Sequence, residues 1–326
     1  MYPILAVCFV FIGCCSNVYF LELLVSEYPG SGNIVTFSQF LFIALEGFIF
    51  TSKFGTKKAV VPFSYYVSMV SMFFIVQVIN NLAFNFNISM PLHMIFRSGS
   101  LAATLFLGII ILKRKYILSK YISVVLISSG IIVCTIASAK QVETLPFHTG
   151  NATYDYLMWL IGISLLVFAL FMSSRMGIFQ EQTYAKYGKH PAEAMFYNHA
   201  LPLPAFLLMY KSIYSAAIYY NDSAPLLIPV IGLTVPKLWM YLCLNVLTQY
   251  VCIRSVFILT TECTSLAVTL VVTLRKFVSL VFSLYYFQNP FTIYHWIGAV
   301  FVFLGTLIFT EVIKVDSITK IKKKTA

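Results

Sequence analysis

Runs of about twenty residues with scarcely a charge recur along this chain, and no other feature limits its fold as strongly. Val60–Ile79, Tyr121–Ala139, Tyr156–Ser174, Leu238–Ile258, Leu266–Phe287 and Trp296–Val312 are the clearest. Each matches the roughly 20 residues that a helix needs to cross a hydrocarbon core about 30 Å thick. In that medium every backbone N–H and C=O must be satisfied internally, so runs of this length are expected to be helical. Of the 326 residues, 60% are hydrophobic and 10% charged, and the mean hydropathy is +0.87. That is too little charge to cover a soluble surface. The expected fold class is an all-α polytopic membrane protein, with 1–326 forming a single transmembrane domain.

Met1–Leu21 has no basic segment followed by a small-residue cleavage site, so it is expected to stay as a first helix. The apolar pattern places further helices at 34–51, 60–81, 90–112, 120–139, 156–174, 195–213, 238–258, 264–287 and 292–313. With the first at 3–21, this places both termini on one side. Basic residues select that side. Lys53, Lys57, Lys58, Lys113–Lys115, Lys120, Arg175, Lys186, Lys189 and the tail lysines from Lys314 onward share the side of the termini. Only Lys140, Lys211 and Lys237 fall opposite. Such a bias predicts cytosolic termini, and it accounts for the net charge of +11 without nucleic acid. The sequons at Asn87, Asn151 and Asn221 all lie in the opposite, lumenal loops, where Asn151 and Asn221 are open to glycosylation. Asn87 is expected to lie too close to the membrane.

Four basic residues remain inside spans. Arg254 lies near the cytosolic end of its helix and can snorkel. Arg97 precedes the Lys113 anchor by 16 residues, about 24 Å of helix at 1.5 Å per residue. It therefore faces either a central cavity or the far interface. Arg275 and Lys276 sit near the middle of their span, where charge is costly and marks function by default. Glu22, Glu46 and Glu262 are the few carboxylates within reach, so the missing counter-charge can be a substrate. Arg grips phosphate bidentately and Lys acts on it as a point charge. Asn17, Asn80, Asn81, Asn198 and Gln249 can complete a pocket or act as interhelical glue. Tyr197 can stack on a base or simply pack.

Other chemistries find little support. The chain has no P-loop for ATP. Its histidines (His93, His148, His190, His199 and His295) form no metal-ligand pair, and no nucleophile stands beside a base. No enzyme activity, cofactor or metal is expected. The cysteines have no zinc spacing and are expected as buried small hydrophobes without a disulfide framework. A weak internal repeat is present, because Lys120–Val133 resembles His295–Phe309, with Gly130 matching Gly305. It suggests two five-helix halves, about 1–140 and 154–314, followed by a basic tail at 315–326.

"CCSNVYFLELL", "MPLHMIFRSGSLAATLFLGIIILKRKY", "MGIFQEQTYAKYGKHPAEAMFYNHALPLP" and "QYVCIRSVFILTTECTSLAVTLVVTLRKFVSL" closely resemble the nucleotide-sugar transporter family, especially members carrying UDP-xylose and UDP-N-acetylglucosamine. The similarity runs from about residue 4 to residue 313. It implies the drug/metabolite transporter fold, ten helices in two inverted five-helix repeats. It also implies antiport of a cytosolic UDP-sugar against lumenal UMP in Golgi or endoplasmic reticulum membrane. Relatives carrying GDP-mannose read the base with F-Y-N-N and hold sugar and phosphate with G-A-L-N-K. The matching positions here are Phe196-Tyr197-Asn198-His199 and Val272-Thr273-Leu274-Arg275-Lys276. The expected substrate contacts are Lys276, Arg275, Tyr197, Asn198, Arg97, His199, Asn81, Gln249 and Glu22. Lys323 and Lys324 resemble a di-lysine retrieval signal read by coat proteins, and a homodimer is an open assembly. The rival readings are another nucleotide sugar, a proton-coupled exporter of the same fold, or a channel.

Overall fold

A computed structural model describes residues 3–86, 88–113, 115–139, 152–188, 190–228, 232–262, 265–289 and 291–313. Twelve helices make up the bundle among these residues. The first half of the chain contributes α1 (Pro3–Glu27), α2 (Gly32–Glu46), α3 (Phe63–Ala83), α4 (Met90–Ser98), α5 (Ser100–Leu112) and α6 (Leu118–Ala139). The second contributes α7 (Ala152–Tyr187), α8 (Pro191–Ala200), α9 (Tyr210–Asn221), α10 (Lys237–Glu262), α11 (Ser265–Phe287) and α12 (Ile293–Phe309). One antiparallel hairpin, β1 (Pro225–Ile228) with β2 (Leu233–Pro236), interrupts the all-helical expectation between α9 and α10. Among the described residues, eight helical runs are long and apolar enough to cross a membrane, and Ile293–Phe309 is a shorter apolar helix. The chain is a polytopic helical membrane protein.

Several boundaries differ from the hydropathy pattern. α7 continues for 36 residues to Tyr187, well past the apolar run that ends at Ser174. Hydropathy records where the lipid ends, whereas the backbone continues as helix through Arg175 and beyond. α8 and α9 join through a 3₁₀ segment, Leu203–Met209, into one run, Ala192–Asn221. The span at Met90–Leu112 is broken at Gly99, whose N–H turns back to the Phe96 carbonyl at 2.9 Å. A Cβ at position 99 would lie 2.4 Å from Ile131 Cδ1, so the glycine also lets the span approach α6. Ser174 of α7 donates to the Ser100 carbonyl at 3.0 Å just beyond the break.

Two long pairings organise the bundle: α1 against α10 and α6 against α12. Small residues permit both. A Cβ on Gly13 would come within 2.8 Å of the Cys252 backbone nitrogen. Gly130 and Gly298 face each other so closely that a Cβ on Gly130 would lie 2.5 Å from the Gly298 carbonyl oxygen. Asn17 and Asn245 then exchange hydrogen bonds across α1 and α10, each amide donating to the other's carbonyl, at 3.0 and 2.9 Å. Cys14 and Cys252 are joined by a disulfide with a Cα–Cα distance of 4.6 Å. This corrects the expectation that the cysteines form no bridge. The partners are 238 residues apart in sequence, and only the close α1–α10 approach brings them together.

Apolar clusters fill both ends of the bundle. Leu24, Ile34, Val35, Tyr220 and Leu238 pack where α1 ends. Val61, Tyr66, Met69 and Ala194 pack at the opposite end, called the near face here because α1 begins there. Lys237 pairs with Glu27 at 2.5 Å at the far end. At the near face Lys120 pairs with Glu311 at 2.9 Å.

Candidate functional site

A cavity of about 550 Å³ lies inside the bundle, lined by α1, α2, α3, α4, α7, α10 and α11. It falls in the usual range for sites that take small molecules and cofactors. Arg97, Arg275 and Lys276 all line it. Arg97 sits two residues before the Gly99 break and keeps an exposed side chain open to the cavity. Arg275 and Lys276 are half-buried on α11, and the Arg275 Nε is buried without a hydrogen-bond partner among the described residues.

Holding three cations at membrane depth needs a compensating term. Each costs about 2.5–3.5 kcal/mol at the centre of a spanning helix on insertion scales. Together that rivals the roughly 5–15 kcal/mol by which proteins are stable at all. Among the described residues no carboxylate forms a salt bridge with any of the three. A hydrated cavity lowers the cost, and an anionic ligand offsets it.

Two of the carboxylates expected nearby, Glu22 and Glu46, are engaged elsewhere, and the side chain of Glu262 lies outside the described residues. Glu22 is buried, and its Oε1 accepts hydrogen bonds from Ser283 Oγ and Asn289 Nδ2, both at 2.8 Å. It lies outside the cavity lining and ties α1 to the end of α11. Glu46 faces Arg254 at 4.0 Å and accepts a bond from Tyr250 Oη at 3.0 Å. Arg254 thus has a carboxylate partner, which the three cavity cations lack among the described residues.

The α8 residues also lie outside the cavity lining. Tyr197 stacks on Tyr66 with centroids 4.5 Å apart, in the near-face cluster. His199 is buried against the rings of Phe40 and Phe73, and its Nδ1 lies 2.7 Å from the Met195 carbonyl. Asn198 Oδ1 is buried without a partner among the described residues. Glu193 fastens this helix at the near face. Its carboxylate accepts the N–H groups of Val60 and Val61, at 3.0 and 3.1 Å, and the Tyr66 hydroxyl at 2.8 Å.

Asn81 and Gln249 do line the cavity. Asn81 donates to Thr36 Oγ1 at 2.8 Å, holding α3 on α2. Sequence reasoning passed over Gln39, Gln77 and His93, which line the cavity as well. Gln39 donates to Asn245 Oδ1 at 2.7 Å, and the His93 ring stacks on Phe84 at 4.6 Å. Helical spacing on α3 was the available signal, since Phe73, Gln77, Asn80 and Phe84 recur along one stripe. Asn221 accepts the Trp239 indole N–H at 2.7 Å. Asn151, Lys323 and Lys324 lie outside the described residues.

Residues 2–313 match the UAA transporter family along almost their whole length. The chain belongs to that family. It is similar to the "UDP-xylose and UDP-N-acetylglucosamine transporter" of Danio rerio, 63% identical over 96% of this chain and 95% of the relative. The human "Nucleotide sugar transporter SLC35B4" is 61% identical over 96% and 95%. An "Endoplasmic reticulum GDP-fucose transporter" of Drosophila melanogaster is 52% identical over 95% and 90%. Membership makes the chain a transporter rather than an enzyme.

Proposed function

We propose that this transporter exchanges a UDP-sugar, UDP-N-acetylglucosamine or UDP-xylose, for UMP across the endoplasmic reticulum or Golgi membrane. One observation carries the reading: Arg97, Arg275 and Lys276 line a single internal cavity without a carboxylate partner among the described residues. A diphosphate supplies the missing negative charge to all three, and a monophosphate supplies part of it. The printed names of the relatives support the UDP-sugar, since those of zebrafish, Dictyostelium discoideum and Schizosaccharomyces pombe include UDP-N-acetylglucosamine. In this reading Lys276 and Arg275 flank the phosphates from α11 while Arg97 faces them from the broken span. Asn81 and Gln249 belong to the wall. Tyr197, Asn198 and His199 meet the ligand only if α8 shifts, and Glu22 serves as a tether. The ten spans would be related as two inverted five-helix halves, and alternating access would carry the ligand across without chemical change.

Exchange has a direct readout. Proteoliposomes loaded with UMP should take up UDP-N-acetylglucosamine or UDP-xylose several-fold faster than empty ones. Equal rates would exclude antiport and favour a uniporter or proton-coupled carrier. GDP-fucose belongs in the same uptake panel, because a 52% identical relative is named for it.

Cytosolic termini and a lumenal Asn151 complete the proposal. Tags at both termini should be digested by protease added to sealed microsomes, while a tag at Asn151 should be protected. Termini on opposite faces would rule out an even number of spans. Exchanging Lys323 and Lys324 for serine should move the protein to later compartments if coat proteins read them.

A further inference from the structure

The cavity wall supplied by α3 carries two side-chain amides with nothing to bind. Gln77 and Asn80 both line the cavity, and Asn80 is only 7% exposed. Among the described residues neither amide side chain has a hydrogen-bond partner, whereas their neighbour Asn81 is already committed to Thr36. Positions 77 and 80 are three apart, so the two amides share a helix face. Gln77 is only half-buried, and neither amide is closed off from the cavity, so both are free to bond what enters it.

Their position relative to the cations defines what they can bind. α3 packs on α2, α7 and α8, while α11 packs on α1, α4, α10 and α12. The amides and the Arg275–Lys276 pair therefore line the cavity from different sides. A ligand that satisfies both has phosphate at one end and a planar group with donors and acceptors at the other. A carboxamide offers a carbonyl acceptor beside an N–H donor. It is complementary to a ring edge that carries C=O next to N–H, as uracil does at O4 and N3. Tyr197 and Asn198 lie outside the lining and do not supply this match.

We propose that Gln77 and Asn80 bind the edge of the nucleobase, which makes α3 the wall that reads the base. The inference rests on the nucleotide-sugar reading above. Its test separates base from phosphate. Uptake of labelled UDP-N-acetylglucosamine into proteoliposomes is competed with UMP and with ribose 5-phosphate, which keeps the sugar and phosphate but lacks the base. Wild type should prefer UMP. Gln77→Leu and Asn80→Leu should each shrink that preference about three- to ten-fold, the loss of one net hydrogen bond, with ribose 5-phosphate competing as before. An unchanged preference in correctly folded variants would overturn the proposal.

A second measurement needs no variant. UMP methylated at N3 has lost its ring donor and should compete at least three-fold less well with wild type, and equal competition would also overturn the proposal. If UMP does not compete with wild type at all, the nucleotide-sugar reading itself is wrong.

Discussion

Valine in place of Gly298 should strongly destabilise the folded protein. A Cβ at that position would lie 2.4 Å from Cys134 Sγ and 2.6 Å from the Gly130 carbonyl oxygen. The second contact is backbone, which cannot swing aside as a flexible side-chain tip can. Relief requires α6 and α12 to separate, and those helices pack along their length. Overpacking in a core typically costs about 1–3 kcal/mol, and the upper end is expected here because valine also adds branched methyls. A loss of about 3 kcal/mol lowers the folded-to-unfolded ratio by more than a hundred-fold. Gly130→Val should behave alike, since its Cβ would meet the Gly298 carbonyl at 2.5 Å. Gly177 is the control, with no atom within 4 Å of an added Cβ. Gly177→Ala should leave stability unchanged or slightly raised. Thermal unfolding of detergent-solubilised protein, followed by monodisperse elution, checks all three. A Gly298→Val protein that unfolds at the wild-type temperature would mean that α6 and α12 do not meet at these glycines.

Lys276→Ala should depress transport most strongly among changes that leave the fold intact. Lys276 lines the cavity with Arg275 and Arg97, and none of the three has a carboxylate partner among the described residues. Alanine relieves the unliganded protein of a costly charge, so stability should be equal or higher. Losing one partner of a desolvated charged contact costs about 2–5 kcal/mol, a weakening of tens- to thousands-fold. UDP-sugar uptake and UMP exchange should fall together, because both ligands carry phosphate. Lys276→Arg keeps the charge in a wider, planar group, so partial activity is expected. Residues 275 and 276 point about 100° apart on a helix of 3.6 residues per turn. Arg275→Ala therefore has a different contact to lose and should alter sugar preference as well as rate. Competition of UMP and UDP-sugar against labelled substrate in proteoliposomes measures both. Wild-type exchange by folded Lys276→Ala would remove Lys276 from the phosphate site.

The spans were legible because a bilayer imposes one length on every crossing segment. Their ends were less so, as α7 shows by continuing 36 residues through a polar stretch. The Gly99 break was not legible in the Arg97-Ser98-Gly99-Ser100 stretch, since one glycine is ordinarily compatible with either packing or kinking. Arg275 and Lys276 stood out in the sequence by cost alone, and the structure adds the cavity they face. The wall opposite them was harder to read. Gln77 and Asn80 look like any amides in a helix, and only tertiary structure tells them apart from Asn81, which is spent on Thr36. Glu22 was an obvious partner for the cations by scarcity of carboxylates, yet Ser283 and Asn289 hold it. The Cys14–Cys252 bridge depends on two helices meeting, which spacing along the chain does not record.

The two long pairings bear on how such a carrier can move. α1 and α6 come from the first half of the chain, and their partners α10 and α12 come from the second. A covalent cross-link and reciprocal amide bonds secure one pairing, and interlocked glycines secure the other. The halves of the sequence are therefore not the halves of the machine. A hinge opening between residues 1–140 and 154–314 would have to tear both seams in every cycle. Under the proposed exchange the pairs would act as two fixed posts, each made of one helix from either half, and the working stroke would fall to the helices between them. Those are the segments that would carry the proposed cargo contacts: α3 with its amides, the broken span with Arg97, and α11 with its paired cations.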